Sequence, residues 1–159
     1  MPLRGSTNRF TDVAADAEYQ YIGDRNIFTL LTTYIHEDQK LDADYLLGAS
    51  NKTDTLQTFR FVGNYYYKHR YGLSLGYFNT WGSTDQLLYT PDPVVGSNNG
   101  SPNSDGFVAQ VSYLPWLNTK FVLQYTAYDK FNGASSNYDG SGRSASNNDT
   151  LFLLGWLNF

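Results

Sequence analysis

Residues 149–159, D-T-L-F-L-L-G-W-L-N-F, decide the fold class that we predict for this chain. Alternation with a period of two is the mark of a β-strand with one apolar face. Terminal residues fray in water, so an ending on a bare aromatic ring suits an apolar environment better. Counted back from the end, every second residue is apolar or small: Phe159, Leu157, Gly155, Leu153 and Leu151.

This ending resembles the C-terminal strand of bacterial outer-membrane β-barrels, whose terminal Phe and alternate apolar residues are read by the barrel-assembly machinery. The resemblance implies that the chain lies in the cell outer membrane. It also implies that outer-membrane lipid and the assembly machinery are its partners. The residues that would form the assembly signal are Leu151, Leu153, Gly155, Leu157 and Phe159.

The composition favours strands over helices. The 159 residues include 14 Tyr, 10 Phe and 3 Trp, while charged residues make up 16%. Mean hydropathy is −0.46, as expected where lipid-facing and lumen-facing residues alternate and cancel. The net charge of −4 argues against nucleic acid as a partner, and the lack of cysteine excludes disulfides and thiolate metal sites. The first residues lack the features of a signal peptide, so we expect export to depend on a removed or upstream signal.

Seven stretches have strand composition between turn signals: 11–22, 26–36, 55–68, 71–82, 106–114, 118–131 and 149–159. Their connections are alternately short (23–25, 69–70, 115–117) and long (37–54, 83–105, 132–148). Short periplasmic turns and long extracellular loops are typical of outer-membrane barrels. We therefore predict an all-β fold, an antiparallel up-and-down transmembrane β-barrel over residues 11–159. Residues 1–10 are polar and are expected to be the tail of an extracellular loop.

The two faces of the predicted strands differ in polarity. One face is apolar and carries no charge, and aromatic rings cluster at both of its ends, as at headgroup level. A charge at mid-bilayer depth costs roughly 2–4 kcal/mol on a barrel's lipid face, which explains this segregation. Asp129 breaks the alternation at the outer end of its strand. We predict a lumen-facing polar set of Asp12, Asp16, Glu18, Gln20, Arg60, Asn64, Gln110, Lys120, Gln124 and Lys130.

Some inward positions are apolar instead. This set indicates a plug, a packed interior or a partner seated inside the lumen. Its members are Ile27, Leu31, Ile35, Phe152, Leu154 and Trp156.

Seven strands are an odd number, whereas bacterial single-chain barrels have an even number. We expect the chain to be the C-terminal part of a larger porin-like barrel of Gram-negative type. The alternative is a small eight-stranded barrel whose first strand is missed. The segments 19–24 (Y-Q-Y-I-G-D) and 137–140 (N-Y-D-G) also resemble the C-terminal part of large proteobacterial barrels encoded near multihaem cytochromes. That resemblance implies a periplasmic or lumen-seated partner such as a multihaem cytochrome.

No catalytic constellation is present in the sequence. His36 and His69 lie at opposite ends of their strands, without a nucleophile elbow or ligands at metal spacing. We therefore expect no enzyme activity, cofactor or metal site in this segment. The predicted function is that of a passive channel or a structural sheath. The alternatives are an outer-membrane enzyme with catalytic residues upstream and a soluble lipid-binding β-barrel with inverted faces.

Overall fold

The computed structural model describes residues 5–90 and 96–158, which form one antiparallel sheet with short helices in its connections. Seven up-and-down strands are confirmed. The strands are β1 (Arg9–Ile22), β2 (Asn26–Lys40), β3 (Thr53–Tyr67), β4 (Tyr71–Gly82), β5 (Ser104–Trp116), β6 (Thr119–Lys130) and β7 (Thr150–Leu157). β2 continues four residues past its predicted end, to Lys40, and β3 begins two residues before its predicted start, at Thr53, because the two strands stay paired there. β5 extends by two residues at each end. The helices are α1 (Asp42–Leu46), α2 (Gln86–Tyr89) and a 3₁₀ turn, Ala145–Asn148.

The strands lie in the sheet in chain order, and each pairs with the next. The sheet is not closed, because β1 and β7 do not pair with each other and both are exposed on both faces. An eighth strand is absent from residues 5–90 and 96–158, so the small closed barrel is not what the structure shows. Since all pairings are antiparallel, β1 and β7 run in the same direction. No helix in the described ranges is long and apolar enough to cross a membrane.

In the central strands β3 to β6, solvent exposure largely distinguishes the two faces of the sheet. We call the more shielded face the polar face. It carries the odd-numbered residues of β2 and the even-numbered residues of the other strands, except where a bulge shifts the alternation. The opposite, apolar face is the more exposed one; Leu75 and Val111 are 57% and 51% exposed there. This is the reverse of a water-soluble sheet, which buries its apolar side. In β5 the shielded residues are Gly106, Val108, Gln110 and Ser112, and the exposed ones are Phe107, Ala109, Val111 and Tyr113.

A β-bulge corrects one sequence prediction. Gly106 pairs with Tyr128, but Asp105 pairs with Lys130, so Asp129 is an extra residue in β6. A bulge shifts the alternation that follows it, which explains why Asp129 breaks the pattern. It also gives Lys130 the face of Asp105, whose carboxylate lies 3.9 Å from the Lys130 ammonium. The prediction that Lys130 shares a face with Gln124 is therefore wrong.

The best-buried side chains cluster in the long connections rather than in the middle of the sheet. We call these connections, residues 41–52, 83–90 with 96–103, and 131–149, the loop layer. The sheet contributes fewer buried residues, among them Val122 and Ser112. A loop layer with its own packing holds its shape whatever contacts the faces of the strands. Its buried members include Leu41, Ala49, Asp85, Ser97, Ser101, Tyr138, Asp139 and Ala145.

Candidate functional site: the polar face of the sheet

Strand register brings six uncharged polar residues into one line across the polar face. A residue in one strand lies beside its partner in the next, with strands about 4.8 Å apart. The line contains four residues of the predicted lumen-facing set, each on a separate strand: Gln20, Asn64, Gln110 and Gln124. We call it the polar row, and it consists of Gln20, Thr29, Asn64, Ser74, Gln110 and Gln124, ending beside Phe152 of β7.

Arg60 lies on the same face of β3 as Asn64, four residues closer to the loop layer along the strand. Its register partner Thr33 donates its Oγ1 hydrogen bond to Asp16 Oδ1 at 2.6 Å. Within the described residues Arg60 forms no ion pair. Arg60 lines a cavity of about 130 Å³ together with Asn64 and Gln110. It also lines a second cavity of about 260 Å³ beside Leu31, Thr33 and Val62.

Apart from Lys130, the other predicted polar residues are spread over the same face and do not converge. Asp12 pairs with Glu37, so two carboxylates lie side by side at the loop end of β1 and β2. Glu18 pairs with Leu31, and Lys120 pairs with Trp156. Like charges on directly paired residues repel each other, so this end of the face must be well hydrated.

The inward-facing apolar residues that the sequence predicts lie in two separate patches. Ile27, Leu31 and Ile35 belong to β2, and the second patch is on β7. Phe152 is 52% exposed, and Trp156 is exposed as well. Nothing in the described chain covers the β7 patch. The sequence-predicted assembly residues Leu151, Leu153, Gly155 and Leu157 lie on its opposite face, while Phe159 lies outside the described residues.

The loop layer is anchored on the polar face by a chain of aromatic rings. Phe78 and Tyr128 point from this face, and their ring centroids are 5.3 Å apart. Tyr128 contacts Phe131 at 5.1 Å, and Phe131 contacts Tyr138 at 5.0 Å, all edge to face. Edge-to-face rings attract through their quadrupoles. The third long connection therefore folds over the polar side of the sheet at its loop end.

Hydrogen bonds tie the three long connections to each other. Asp85 is almost fully buried; its Oδ1 accepts the α2 cap hydrogen bonds from Leu87 N and Leu88 N, and its Oδ2 accepts from Asn51 N. The second connection contacts the third, since Asn98 N donates to the Tyr138 carbonyl oxygen at 2.6 Å. Buried polar groups are costly unless they are paired. This explains why polar loops can hold a fixed conformation.

Carboxylates and a phenol of the loop layer have shifted pKa values. Burial raises the pKa of Tyr89, and the neighbouring charge of Asp54 adds to this shift. The hydroxyl of Ser141 donates to Asp139 and lowers the pKa of that carboxyl, with help from backbone N–H groups. A hydrogen bond to the charged form favours that form. Asp139 is therefore held ionised inside the third connection.

Sequence reasoning missed a buried pair at the loop end of β2 and β3. Gln39 and Asp54 are register partners, and Asp54 is 3% exposed. Asp54 Oδ1 accepts from Asn51 Nδ2 at 2.7 Å. In the part of the chain that the structure describes, Asp54 Oδ2 and Gln39 Oε1 have no hydrogen-bond partner. Only the cross-strand pairing reveals this neighbourhood, because the two residues are far apart in sequence.

A metal centre is not formed by the described residues, which hold no cluster of three or more His, Cys, Asp or Glu side chains at ligand distance. His36 contacts Gln57 at 3.0 Å and Asp38 at 3.4 Å, and no nucleophile accompanies it. Comparisons with protein-family models, with curated proteins and with solved structures find no match to this chain. We therefore take the polar face as the candidate functional site.

Proposed function

We propose that this chain is part of the wall of an outer-membrane β-barrel that acts as a passive channel or as a structural sheath, without catalysis by this segment. The observation that carries the proposal is the exposure of the apolar face. Leu, Val, Phe and Tyr side chains are exposed on this face, and no element formed by residues 5–90 and 96–158 covers them. In water, a contiguous apolar surface of this size is unfavourable. Hydrocarbon around the sheet removes that cost.

The soluble lipid-binding barrel fits the same data less well. Such a protein places apolar side chains on its shielded inner side and polar ones in water. Here Asn64, Gln110 and Gln124 are on the shielded side, and Leu73, Leu75 and Val111 on the exposed side. The alternation therefore supports lipid outside and water inside, which is the arrangement of a channel wall.

Further strands are needed to complete the proposed barrel. Unpaired N–H and C=O groups along β1 and β7 would each cost several kcal/mol in hydrocarbon. Because β1 and β7 run in the same direction, an antiparallel closure requires an odd number of additional strands. A second copy of the seven-stranded sheet in the same orientation would form parallel seams instead. The proposal thus includes a larger barrel to which residues 11–159 contribute one segment.

The sheath version of the proposal rests on the uncovered apolar patch of β7. Phe152, Leu154 and Trp156 face the proposed lumen and are exposed there. Burial of such side chains contributes about 1.5–3 kcal/mol each. A lumen-seated partner with an apolar surface would cover these side chains, whereas an aqueous channel without a partner would leave them exposed to water.

Cysteine labelling on intact cells tests the membrane placement. Single cysteines at Ser50, Asn98 and Ser141, all exposed in the loop layer, should react with an impermeant maleimide. The matched variant His69→Cys, in a short turn at the other end of the sheet, should react only after lysis. Ser97 is unsuitable as a probe because it is fully buried. If His69→Cys alone were labelled on whole cells, the proposed orientation would be wrong. If none of the four cysteines were labelled even in isolated membranes, the proposed placement in the membrane would be wrong.

Flux through vesicles tests the function itself. Proteoliposomes that contain the chain in its complete barrel should release a small trapped dye faster than empty liposomes. Release no faster than from empty liposomes would exclude the channel and leave the sheath.

A further inference from the structure

The polar row consists only of uncharged hydrogen-bonding side chains, whereas the lining of a water-filled lumen can be charged as well. Its six members carry amide or hydroxyl groups, and none of them is charged. They come from six successive strands, so no local sequence motif produces the row. Each amide offers two donors and an acceptor, and each hydroxyl offers both functions.

The hydrogen-bonding capacity of the row is largely unused inside the protein. Among the described residues, the side chains of Asn64, Ser74 and Gln110 make no hydrogen bond within the chain. Gln124 reaches Thr126 Oγ1, at 3.5 Å. All four are half-buried and line the cavity of about 130 Å³. Half-buried amides without protein partners must bind water or a solute.

Mostly apolar lines of residues border the row on both sides. The next line towards the loop layer contains Leu31, Val62, Gly76 and Val108, with Glu18 and Thr126 at its two ends. On the other side the next line contains Tyr66, Gly72, Ser112 and Val122. A Cβ added to Gly72 would clash with the Ser112 hydroxyl oxygen and would lie 2.6 Å from the Tyr66 ring. The row therefore lies between two lines that are mostly C–H surface, and Ser112 adds one further hydroxyl on the turn side. Arg60 lines one end of the cavity.

We propose that the polar row binds uncharged polyhydroxylated solutes of the oligosaccharide class. Sugars present hydroxyl edges and apolar C–H faces, which match the row and its borders. The repeat of about 4.8 Å between strands is close to the length of one pyranose ring. The six members of the row carry no charge, although Arg60 lines the same cavity, so recognition along the row itself rests on hydrogen bonds. The proposal depends on the proposed channel for access, because the polar face must line a lumen for a solute to pass along it.

Ligand-observed saturation-transfer NMR tests this binding on the full chain in its complete barrel, in mild detergent. The probe is maltotriose, with gluconate as a charged polyhydroxylated control. Saturation of protein methyl groups should transfer to the ring protons of maltotriose and much less to gluconate. Maltotriose should also bind at least about tenfold more weakly to the double variant Gln110→Leu/Gln124→Leu, a loss of about 1.4 kcal/mol.

Asn79→Leu is the matched control, because Asn79 lies on the same strand as Ser74, β4, but on the opposite face and away from the row. It should bind maltotriose as the unchanged protein does, and circular dichroism should show the same strand content in all variants. Absence of transfer to maltotriose, equal transfer to gluconate, or equal binding by the double variant would each overturn the proposal. Binding does not need a membrane, so its failure is distinct from failure of the labelling experiment.

Discussion

A lysine at the centre of the apolar face would distinguish lipid from water on that side of the sheet. Leu75 is 57% exposed, and its register partners are Gly63 and Ala109, so a longer side chain meets little steric hindrance. If water contacts this face, Leu75→Lys should change the free energy of unfolding by no more than about 0.5 kcal/mol. If lipid contacts it, the cost should be about 2–4 kcal/mol. That cost corresponds to a factor of about 30 to 900 in the unfolding equilibrium.

The matched control is Ser74→Lys, one residue away on the polar face. It should cost far less, because a lysine there reaches the hydrated side. The measurement is urea-induced unfolding in phosphocholine vesicles at one protein-to-lipid ratio, followed by fluorescence of the three Trp residues. Equal costs for the two variants, or a more stable Leu75→Lys protein, would refute the assignment of lipid to the apolar face.

The other predictions concern the loop layer and the last strand. Asp85→Ala should lose the α2 cap, which costs about 0.5–2 kcal/mol, and should raise hydrogen exchange in residues 41–52 and 83–90; Thr84→Ala, next to it, should not. The pKa of Asp139 is lowered in the folded state, so its stabilisation of the third connection is present above the unfolded pKa and is lost as pH falls through the folded pKa. Because intrinsic amide exchange itself slows as pH falls, the quantity to compare is the protection factor: protection of residues 134–149 should fall on acidification, and Asp139→Asn should abolish that pH dependence. Leu153→Asp and deletion of Phe159 should lower the amount of chain in the outer membrane, measured by blotting of membrane fractions; Phe152→Asp, on the polar face, should lower it less. Undiminished levels of Leu153→Asp would show that the apolar face of β7 does not serve assembly.

The sequence predicts the strands well because period-two alternation is a local signal. Residues 71–82 coincide with β4, and 26–36 and 55–68 fall within two residues of β2 and β3 at the turn ends. Register is a different matter, since it depends on turn geometry and on pairing partners that are distant in sequence. The bulge at Asp129 and the alignment of Gln110 with Asn64 are therefore visible only in the folded sheet.

The loop layer was the larger omission of the sequence reasoning. Residues rich in Gly, Ser and Asn carry no hydrophobic periodicity, so the pattern indicates exposed loops. In the structure, however, Ser97 is fully buried and Asp85 is almost fully buried. These side chains are held by hydrogen bonds to other connections, such as that of the Ser97 hydroxyl to the Asn132 carbonyl oxygen at 2.8 Å. A polar side chain whose partner lies some 35 residues away has no signature in local sequence.

The strictly sequential pairing of the seven strands determines how this sheet can change in size during evolution. Each strand contacts its neighbours in the chain, so the sheet is a series of hairpins with nearest-neighbour contacts. Duplication or loss of one hairpin would change the sheet by two strands and leave its two edge strands running in the same direction. The other strand pairs would keep their partners. The sheet can therefore gain or lose strands in steps of two without a change in the relative direction of its edges.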